Sequence, residues 1–495
     1  MGPLGRITRR KVLGTGLLGG ASTLALAACG ETVVERVEVP VEVIKEVQVA
    51  GETVVQEVEV VKEVEVPGET VVKEVEVVKE VPVEVVKEVE VFVPAEAEKV
   101  TISTSHSWPE HRYQEQIDFD DLFMGRHPNI EIDRRNTVWA EYWTKTFAQA
   151  AAGTLPDVFY NQDTRIAAFL SSDSYIGLTD YMRQMTDGYG WENDFVDLLK
   201  PIVTRDGEVY AIPYDWGGPV LSYNKAYFDD AGSSYPDASW MNTDVLEFSK
   251  EVTVAEDRKW GFAYRYWGNW GHEGIYNRQF GGRWISDDEL EISGVMDSAE
   301  TLASNEFWSN FALVDKVTPN PADEEALGVH PMTGGHVAMY HAPPWQAAGF
   351  NDNPDLDWDI APSESGPEGQ FGAALGSNYG IAKNTEHPDA AWQYLSEYMS
   401  TEGMNYMWTY QATAICARKS AQLGFPSAPG QPDGVQHWID AVNTYLVPGK
   451  PLSENSNEIL RINGEIMRDM ILGATTLQEA TAQAVEEIEP LLVGL

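Results

Sequence analysis

The segment VTIST at residues 100–104, together with the segments that follow it at regular spacing, indicates the fold of the domain. Its β-branched residues predict a strand, and the apolar stretches at residues 130–132 and 156–160 predict two more. The apolar pattern between them predicts helices over residues 110–124 and 142–152. Because strands that alternate with helices at this spacing form a parallel sheet covered by helices, we predict an α/β domain.

The N-terminus has the features of a lipoprotein export signal over residues 1–28. A cationic start precedes an uncharged apolar run over residues 12–28, which is short for a membrane span. Leu26-Ala27-Ala28-Cys29 resembles the bacterial lipobox, so we expect cleavage before Cys29 and a diacylglycerol on its thiol. Residues 8–13 resemble a twin-arginine signal. The alternatives are a free cysteine after an ordinary signal peptide, and Sec export.

Residues 29–98 form a segment of low complexity that consists almost entirely of Val, Glu, Lys and Pro. The sequence Glu-Thr-Val-Val begins at residues 31, 52 and 69, and no aromatic residue occurs before Phe92. Such a composition cannot build a packed core, so we interpret the segment as a stalk between the lipid and the domain. The repeats could instead bind a partner or associate with each other as strands.

Charge and cysteine content exclude several classes of protein. The chain has 78 acidic and 34 basic residues, a formal net charge of −44, which argues against nucleic-acid binding and against docking on anionic lipid through the protein surface. The two cysteines are Cys29 and Cys416. If Cys29 carries lipid, the mature protein has no disulfide, and we expect Cys416 to be a buried apolar residue.

Five blocks of the globular part form an ordered set of motifs. The most specific block pairs DGEVYAIPY with SYNKAYF. The others contain the turn GTLPDV, the segment GGHVAM with a following tryptophan, the segment YGIA with HPDAAW, and the C-terminal TLQEA. Together they span most of the chain from residue 99 to its end, at residues 153–158, 206–214, 222–228, 334–345, 379–392 and 476–480. In content and order these blocks resemble the extracellular solute-binding proteins of family 1, the substrate receptors of ABC importers for sugars and oligosaccharides.

The resemblance implies a two-lobed periplasmic-binding-protein fold, type II-like, with the ligand held in a cleft between the lobes. Crossing strands are expected near residues 212–214 and 371–377, and a third crossing between about residues 417 and 451. The implied parts are lobe 1 over residues 99–212, lobe 2 over 213–370, a return to lobe 1 over 371–425, and C-terminal helices, mainly of lobe 2, over 426–495.

The predicted ligand site follows from the chemistry of a sugar, which has apolar C–H faces and a rim of hydroxyl groups. Aromatic rings cover the faces, while amides and carboxylates bind the hydroxyls. Where the family places its cleft, the candidates are Trp108, Tyr160, Asn161, Asp163, Trp216, Asn269, Trp270, Trp345, Asn378 and Tyr379. Weaker candidates are His106, Glu110, Gln162, Asp215 and Glu273. Core packing is the alternative for each. Packing or a position at the surface is the prediction for Trp191, Trp240, Trp284, Trp308, Trp358, Trp392 and Trp438.

The predicted function is that of a non-enzymatic receptor, held outside the cytoplasm by its lipid, that closes around a solute and delivers it to a membrane permease. The chain has no P-loop motif, so ATP hydrolysis is expected from separate ATPase subunits. We expect a monomer without cofactor, metal or catalytic residue. The aromatic residues of the predicted site favour a sugar or oligosaccharide as the solute, and its small number of basic residues argues against an anionic ligand. The rival interpretations are a secreted carbohydrate-active hydrolase and a surface adhesion or structural lipoprotein.

Overall fold

The computed structural model describes residues 98–493 except 109, 186, 189, 265–274, 411–413 and 450. These residues belong to one compact unit, Phe92–Leu495. The predicted export signal, Cys29 and the predicted stalk up to residue 97 lie outside the described residues.

The strands and helices are numbered along the chain. The strands are β1 (Val100–His106), β2 (Ile130–Asn136), β3 (Val158–Gln162), β4 (Thr204–Arg205), β5 (Glu208–Val209), β6 (Ala211–Gly217), β7 (Val220–Asn224), β8 (Trp260–Ala263), β9 (Val337–Ala342), β10 (Trp358–Ala361), β11 (Gly372–Ile381) and β12 (Leu446–Pro448). The helices are α1 (Glu110–Arg126), α2 (Trp139–Ala152), α3 (Asp163–Ser171), α4 (Thr179–Met182), α5 (Gly190–Asp194), α6 (Lys225–Ala231), α7 (Asn242–Val252), α8 (Asn277–Gln279), α9 (Ala299–Leu313), α10 (Pro321–Leu327), α11 (Ala347–Asn351), α12 (Pro388–Tyr398), α13 (Thr401–Met404), α14 (Lys419–Gln422), α15 (Gln436–Thr444), α16 (Ser456–Ile471) and α17 (Leu477–Ile488).

The first lobe is built on a six-stranded sheet with the order β12-β11-β3-β1-β2, in which β6 also pairs with β11. Strand β1 is parallel to both β2 and β3, whereas β11 runs antiparallel to β3. The three strands and two helices predicted from the first segments are therefore confirmed, with boundaries that differ by a few residues. Helix α2 ends at Gly153, whose φ of 63° is a left-handed conformation that glycine adopts without strain.

The second lobe is built on a four-stranded sheet with the order β10-β7-β9-β8. Strand β7 is antiparallel to both β9 and β10, and β8 is parallel to β9. Helices α16 and α17 pack against each other and against α9, so the end of the chain belongs to this lobe. One hydrophobic core lies entirely in the second lobe, whereas the other extends from the first lobe to residues of β8, β9 and β10. The two sheets with their helices confirm the predicted α/β architecture with two lobes.

The two sheets are joined by β6 and β11, which lie side by side and run in opposite directions. Strand β6 leads through Gly218 into β7, and a side chain at Gly218 would meet the carbonyl oxygen of Ala373 at 2.4 Å. The close approach at this point requires glycine. Residues 212–214 and 371–377, where the sequence suggests two crossings, lie in β6 and around the first half of β11.

A buried ion pair secures the chain where it returns to the first lobe. The guanidinium of Arg418 donates to Asp194 at 2.7 Å and to the backbone carbonyl of Met399 at 2.7 Å, and it pairs with Asp187 at 2.9 Å. Cys416, two residues earlier, is fully buried, as predicted, and burial raises the pKa of its thiol to about 12. Within the described residues, no helix has the length and apolar character needed to cross a bilayer.

Candidate ligand-binding site at the junction of the lobes

Several of the candidate residues lie at one edge of the first sheet, where three parallel strands end. Strands β1, β2 and β3 are parallel, so their carboxyl ends lie at the same edge, and β6 and β11 cross this edge towards the second lobe. Ligands of α/β sheets bind at such edges. We call this region the junction site and define it by Trp108, Tyr160, Asp163, Asp215, Trp216 and Asn378.

Tyr160 is the centre of an aromatic cluster at this edge. Its ring centroid lies 6.0 Å from that of Trp108, 6.1 Å from Tyr214 and 5.7 Å from Tyr379. Its hydroxyl forms a hydrogen bond of 3.0 Å with Ser377 on β11. Burial raises the pKa of Tyr160 above its ordinary value, so this hydroxyl stays protonated and can donate.

Hydrogen bonds hold both the backbone and the indole ring of Trp108. Its backbone N–H donates to Asn136 at 2.8 Å, and its indole N–H donates to Gln116 at 3.3 Å. Gln116 in turn donates to Asp120 at 2.8 Å, which also accepts from Tyr394 at 2.7 Å. This buried network fixes the orientation of the indole ring beside Tyr160.

Two buried carboxylates stand at the ends of β3 and β6. Asp163 is 3% exposed and Asp215 is 7% exposed. Burial, followed by the nearby charge of Asp215, raises the pKa of Asp163 to about 7. Asn378 donates to Asp163 at 3.4 Å, and the backbone N–H of Ser377 donates to Asp215 at 2.7 Å. Among the described residues no cation pairs with Asp163, so this carboxylate is available to accept from a hydroxyl group.

Several polar atoms at the junction site are buried without a hydrogen-bond partner among the described residues. They include the indole N–H of Trp216 and the amide oxygen of Asn378. An unpaired buried polar group costs about 1–3 kcal/mol. One of these atoms donates and the other accepts, so the pair matches the hydrogen-bonding capacity of a hydroxyl group.

Trp345 approaches the junction site from the second lobe. It follows the end of β9, in a short helical turn that begins at Pro344, and it is half-buried. A side chain at Gly217, the last residue of β6, would lie 3.8 Å from the Trp345 ring. Trp345 therefore stands next to the strand that joins the lobes.

Three other predicted residues have partners within the first lobe. Asn161 donates to the Tyr175 hydroxyl at 2.6 Å, and Tyr379 lies opposite Tyr160, with its hydroxyl 2.8 Å from His106 Nδ1. Asn161 and Tyr379 are fully buried. Burial, with a smaller effect of Arg134, lowers the pKa of His106 to about 3, so its ring is neutral.

Some predicted residues lie outside the described part of the molecule. Asn269, Trp270 and Glu273 fall within residues 265–274, and the side chain of Glu110 is not described either. The seven tryptophans predicted to serve in packing are all in the two cores, fully or in part: Trp191, Trp240, Trp284, Trp308, Trp358, Trp392 and Trp438.

The structure adds three residues that the sequence analysis missed: Trp139, Trp143 and Arg165. The Arg165 guanidinium lies 4.3 Å from the Trp143 ring centroid and 5.9 Å from that of Trp139. Trp139 lies three residues after the end of β2, on the same edge as the ends of β1 and β3. The rule that ligands bind at strand ends, applied to β2 as well, would have found this residue.

The charged groups of the described residues do not form a metal centre, since no group of three or more His, Cys, Asp or Glu side chains could hold an ion. The junction site combines aromatic rings, two carboxylates, amides and the indole N–H of Trp216, which has no hydrogen-bond partner among the described residues. This combination favours binding of a polar molecule with apolar faces.

Comparison with known proteins agrees with this geometry. A family profile described as bacterial extracellular solute-binding protein matches residues 119–435, more than half of the chain. The lactose-binding protein of Rhizobium radiobacter is 26% identical over 295 residues, a match that covers 56% of this chain and 64% of that protein. The chain thus spans less than two thirds of the length of this relative.

Two solved structures share the fold. An ABC substrate-binding protein from Listeria monocytogenes in complex with cycloalternan matches with a TM-score of 0.70 at 21% identity, covering 80% of this chain and 99% of that chain. The GacH receptor of Streptomyces glaucescens, solved without ligand and with acarbose and an acarbose homolog, matches with a TM-score of 0.67 at 19% identity, covering 80% and 98%. At these identities the matches establish the two-lobed fold.

Proposed function

The chain belongs to the bacterial extracellular solute-binding protein family, and on that premise we propose that it captures a carbohydrate at the junction of its lobes. The observation that carries the proposal is the aromatic cluster around Tyr160 beside buried polar atoms without partners, such as Trp216 Nε1 and Asn378 Oδ1. Aromatic rings bind the C–H faces of a sugar, and the polar atoms bind its hydroxyls. The relative named for lactose binding supports this choice of ligand.

Closure of the lobes around the sugar is the proposed capture step. The junction between the sheets consists of β6 and β11, and a few residues at the ends of such strands can absorb a rotation of one lobe against the other. Trp345 belongs to the second lobe, whereas Asp163 belongs to the first. Closure would bring these two side chains onto the same ligand, and opening would release it.

Delivery to an ABC permease, with separate ATPase subunits, is the proposed second step. The lipobox-like segment that ends at Cys29 supports anchoring by lipid to the outer side of the cell membrane, and the repeats over residues 29–98 support a spacer role. Lipid and spacer together would keep the receptor close to its permease.

A second candidate function is hydrolysis of a glycosidic bond. It is favoured by the pair of buried carboxylates Asp163 and Asp215, because burial and the charge of Asp215 raise the pKa of Asp163 to about 7. Glycosidases use two carboxylates whose pKa values are held apart in this way. The membership of the chain in a family of binding proteins favours the receptor function.

One experiment separates these two functions. The purified protein is titrated with a panel of mono-, di- and trisaccharides by isothermal titration calorimetry, and each mixture is then analysed for cleavage products by chromatography. Saturable binding without products supports a receptor. Cleavage of any saccharide would show that the protein is a hydrolase and would overturn the receptor function. If none of the saccharides binds, the proposed carbohydrate ligand is wrong.

A further inference from the structure

A cavity of about 600 Å³ lies where the chain passes from the first lobe to the second, and we call it the α3 cavity. One wall consists of α3 and residues 201–206 of the first lobe, and the other consists of residues 452–454 and of Val493, which follows α17. None of the six residues that define the junction site lines this cavity. Its volume is within the range of about 300–1,000 Å³ that is common for small-molecule sites.

Glu289 fixes the second-lobe wall of the α3 cavity. Strand β12 belongs to the first sheet, and Gly449 directly after it donates its backbone N–H to β11 at 2.8 Å. Because α16 belongs to the second lobe, residues 449–455 form a third crossing. The fully buried carboxylate of Glu289 accepts from the backbone N–H groups of Leu452 at 2.9 Å and Ser453 at 3.1 Å. This wall therefore moves with the second lobe.

Helix α3 connects the cavity to the junction site. Its first residue is Asp163 of the junction site, whereas Leu170 and Ser171, about two turns later, line the cavity. The helix also packs against α16 of the second lobe. Because the cavity has one wall on each lobe, rotation of the lobes changes its shape. A molecule bound in it therefore has different affinities for different arrangements of the lobes.

The walls of the cavity offer apolar surface that a ligand can reach. Leu170 and Ile202 of the first lobe are half-buried, as is Leu452 opposite them. Val493 is 50% exposed. Apolar surface of this kind favours a ligand with an apolar body, because binding removes the surfaces of both from water.

The rim of the cavity carries charged groups, of which Arg205 is oriented by α3. Its Nη1 donates to the hydroxyl of Ser171 at 3.4 Å, which is its one side-chain hydrogen bond among the described residues. A guanidinium has five N–H donors and binds a carboxylate through two parallel hydrogen bonds. The exposed carboxylates of Asp206 and Glu454 stand on the same rim, and neither has a side-chain hydrogen bond within the described residues. The group that the protein holds in place at this rim is therefore a cation.

We propose that the α3 cavity is a second ligand site, which takes a small carboxylate with an apolar body, and that its ligand regulates binding at the junction site. The apolar walls bury the body, and Arg205 binds the carboxylate. The regulatory part rests on the proposed carbohydrate function. Since both ligands respond to the arrangement of the lobes, each must change the affinity of the other by the same factor.

The first test uses octanoate, octylammonium and 1-octanol, which share one apolar chain and differ in the head group. Their binding to the purified protein is measured by calorimetry. We expect octanoate to bind at least about tenfold more tightly than the other two, because only octanoate pairs with Arg205. Leu170→Trp fills the cavity and Arg205→Gln removes the cation, so each should weaken octanoate about tenfold or more. Arg183→Gln changes another exposed arginine of the first lobe and is the matched control.

The second test measures the coupling between the two sites. The saccharide that binds most tightly in the panel of mono-, di- and trisaccharides is titrated with and without saturating octanoate. Octanoate should change the affinity for the saccharide at least about threefold, and the saccharide should change the affinity for octanoate by the same factor. Arg205→Gln should bind the saccharide as the wild type does without octanoate, and its response to octanoate at the wild-type saturating concentration should be smaller.

The possible outcomes distinguish this inference from the function on which it rests. If octanoate does not bind, if either other probe binds as tightly, or if both cavity variants bind octanoate as the wild type does, the α3 cavity is not this site and the receptor stands. If octanoate binds there but leaves the saccharide affinity unchanged, the regulatory role is wrong. If no saccharide binds, the carbohydrate function fails, whereas octanoate binding that both variants weaken still supports the second site.

Discussion

The guanidinium of Arg418 and the carboxylate of Asp194 lie 2.7 Å apart, and both side chains are fully buried. The two residues are 224 positions apart in the chain. The pair joins α5 to the segment that follows Cys416, and Ser420 also donates to Asp194, at 2.7 Å. A buried charge of this kind depends on its partner, because water does not reach it.

Removal of this partner should destabilise the protein strongly. We expect Arg418→Met to lower the free energy of unfolding by about 3–5 kcal/mol, because it leaves the Asp194 carboxylate buried without its cation. Urea denaturation followed by circular dichroism measures the change. Arg461→Met removes an arginine from an exposed pair with Glu458 and should have little effect. Equal stability of wild type and Arg418→Met would show that the pair contributes nothing.

Asp163 should make stability depend on pH. Burial and the charge of Asp215 raise its folded pKa to about 7 from the ordinary 3.8, so between these values the folded state binds more protons than the unfolded state. The free energy of unfolding should therefore fall as pH rises from about 4 to 7, by at most about 4 kcal/mol, and stay level above. Asp163→Asn should remove this fall, as seen in the difference between the two unfolding profiles.

Two further variants check the origin of this pH dependence. Asp215→Asn removes the neighbouring charge, so the pKa of Asp163 should move back towards its ordinary value. The fall in the free energy of unfolding should then end at a lower pH than in the wild type. Asp173→Asn changes an exposed carboxylate and should leave the profile as it is. If the free energy of unfolding of Asp163→Asn falls with pH as much as that of the wild type, Asp163 is not the origin of the pH dependence.

Trp345 should matter for binding more than for folding. It is half-buried and lies beside Gly217 where the lobes join, so we expect Trp345→Ala to weaken carbohydrate binding about tenfold or more. Titration calorimetry measures the affinity, and thermal unfolding checks that the variant folds. Trp191→Ala removes another half-buried tryptophan, one that packs on Phe195, and should leave the affinity unchanged. Similar affinities for the two variants would exclude Trp345 from the site.

Cys29 should determine whether the protein stays with the membrane. The protein is expressed in cells with the predicted export signal, residues 1–28, in place. We expect Cys29→Ser to abolish incorporation of labelled fatty acid and to move the protein from the membrane fraction to the soluble fraction. The matched variant Cys416→Ser changes the buried cysteine and should remain with the membrane if it folds. A Cys29→Ser protein that still incorporates label would place the lipid elsewhere.

Part of the site follows from local sequence. Trp108 and Asp163 lie within four residues of the ends of the predicted strands at residues 100–104 and 156–160, so the rule for strand ends finds them. Asn161 follows Tyr160 and Tyr379 follows Asn378 in the sequence, yet the side chains of Asn161 and Tyr379 form hydrogen bonds inside the first lobe. Successive side chains of a strand point to opposite faces of the sheet. Only the pairing of β3 with β11 determines which side chains of the two strands lie opposite each other.

The sequence by itself indicated three strands and two helices of the first lobe, because such patterns are local properties of the chain. The order of its motifs indicated the family, and the resemblance to that family implied the two-lobed α/β fold. The tertiary structure alone decided the partners: Arg418 with Asp194, Asp163 beside Asp215, and the exposure of Trp139 next to Arg165. These relationships depend on burial and on contacts between distant segments. Burial makes an unpaired charge or N–H costly, and no local pattern shows which distant residue will satisfy it.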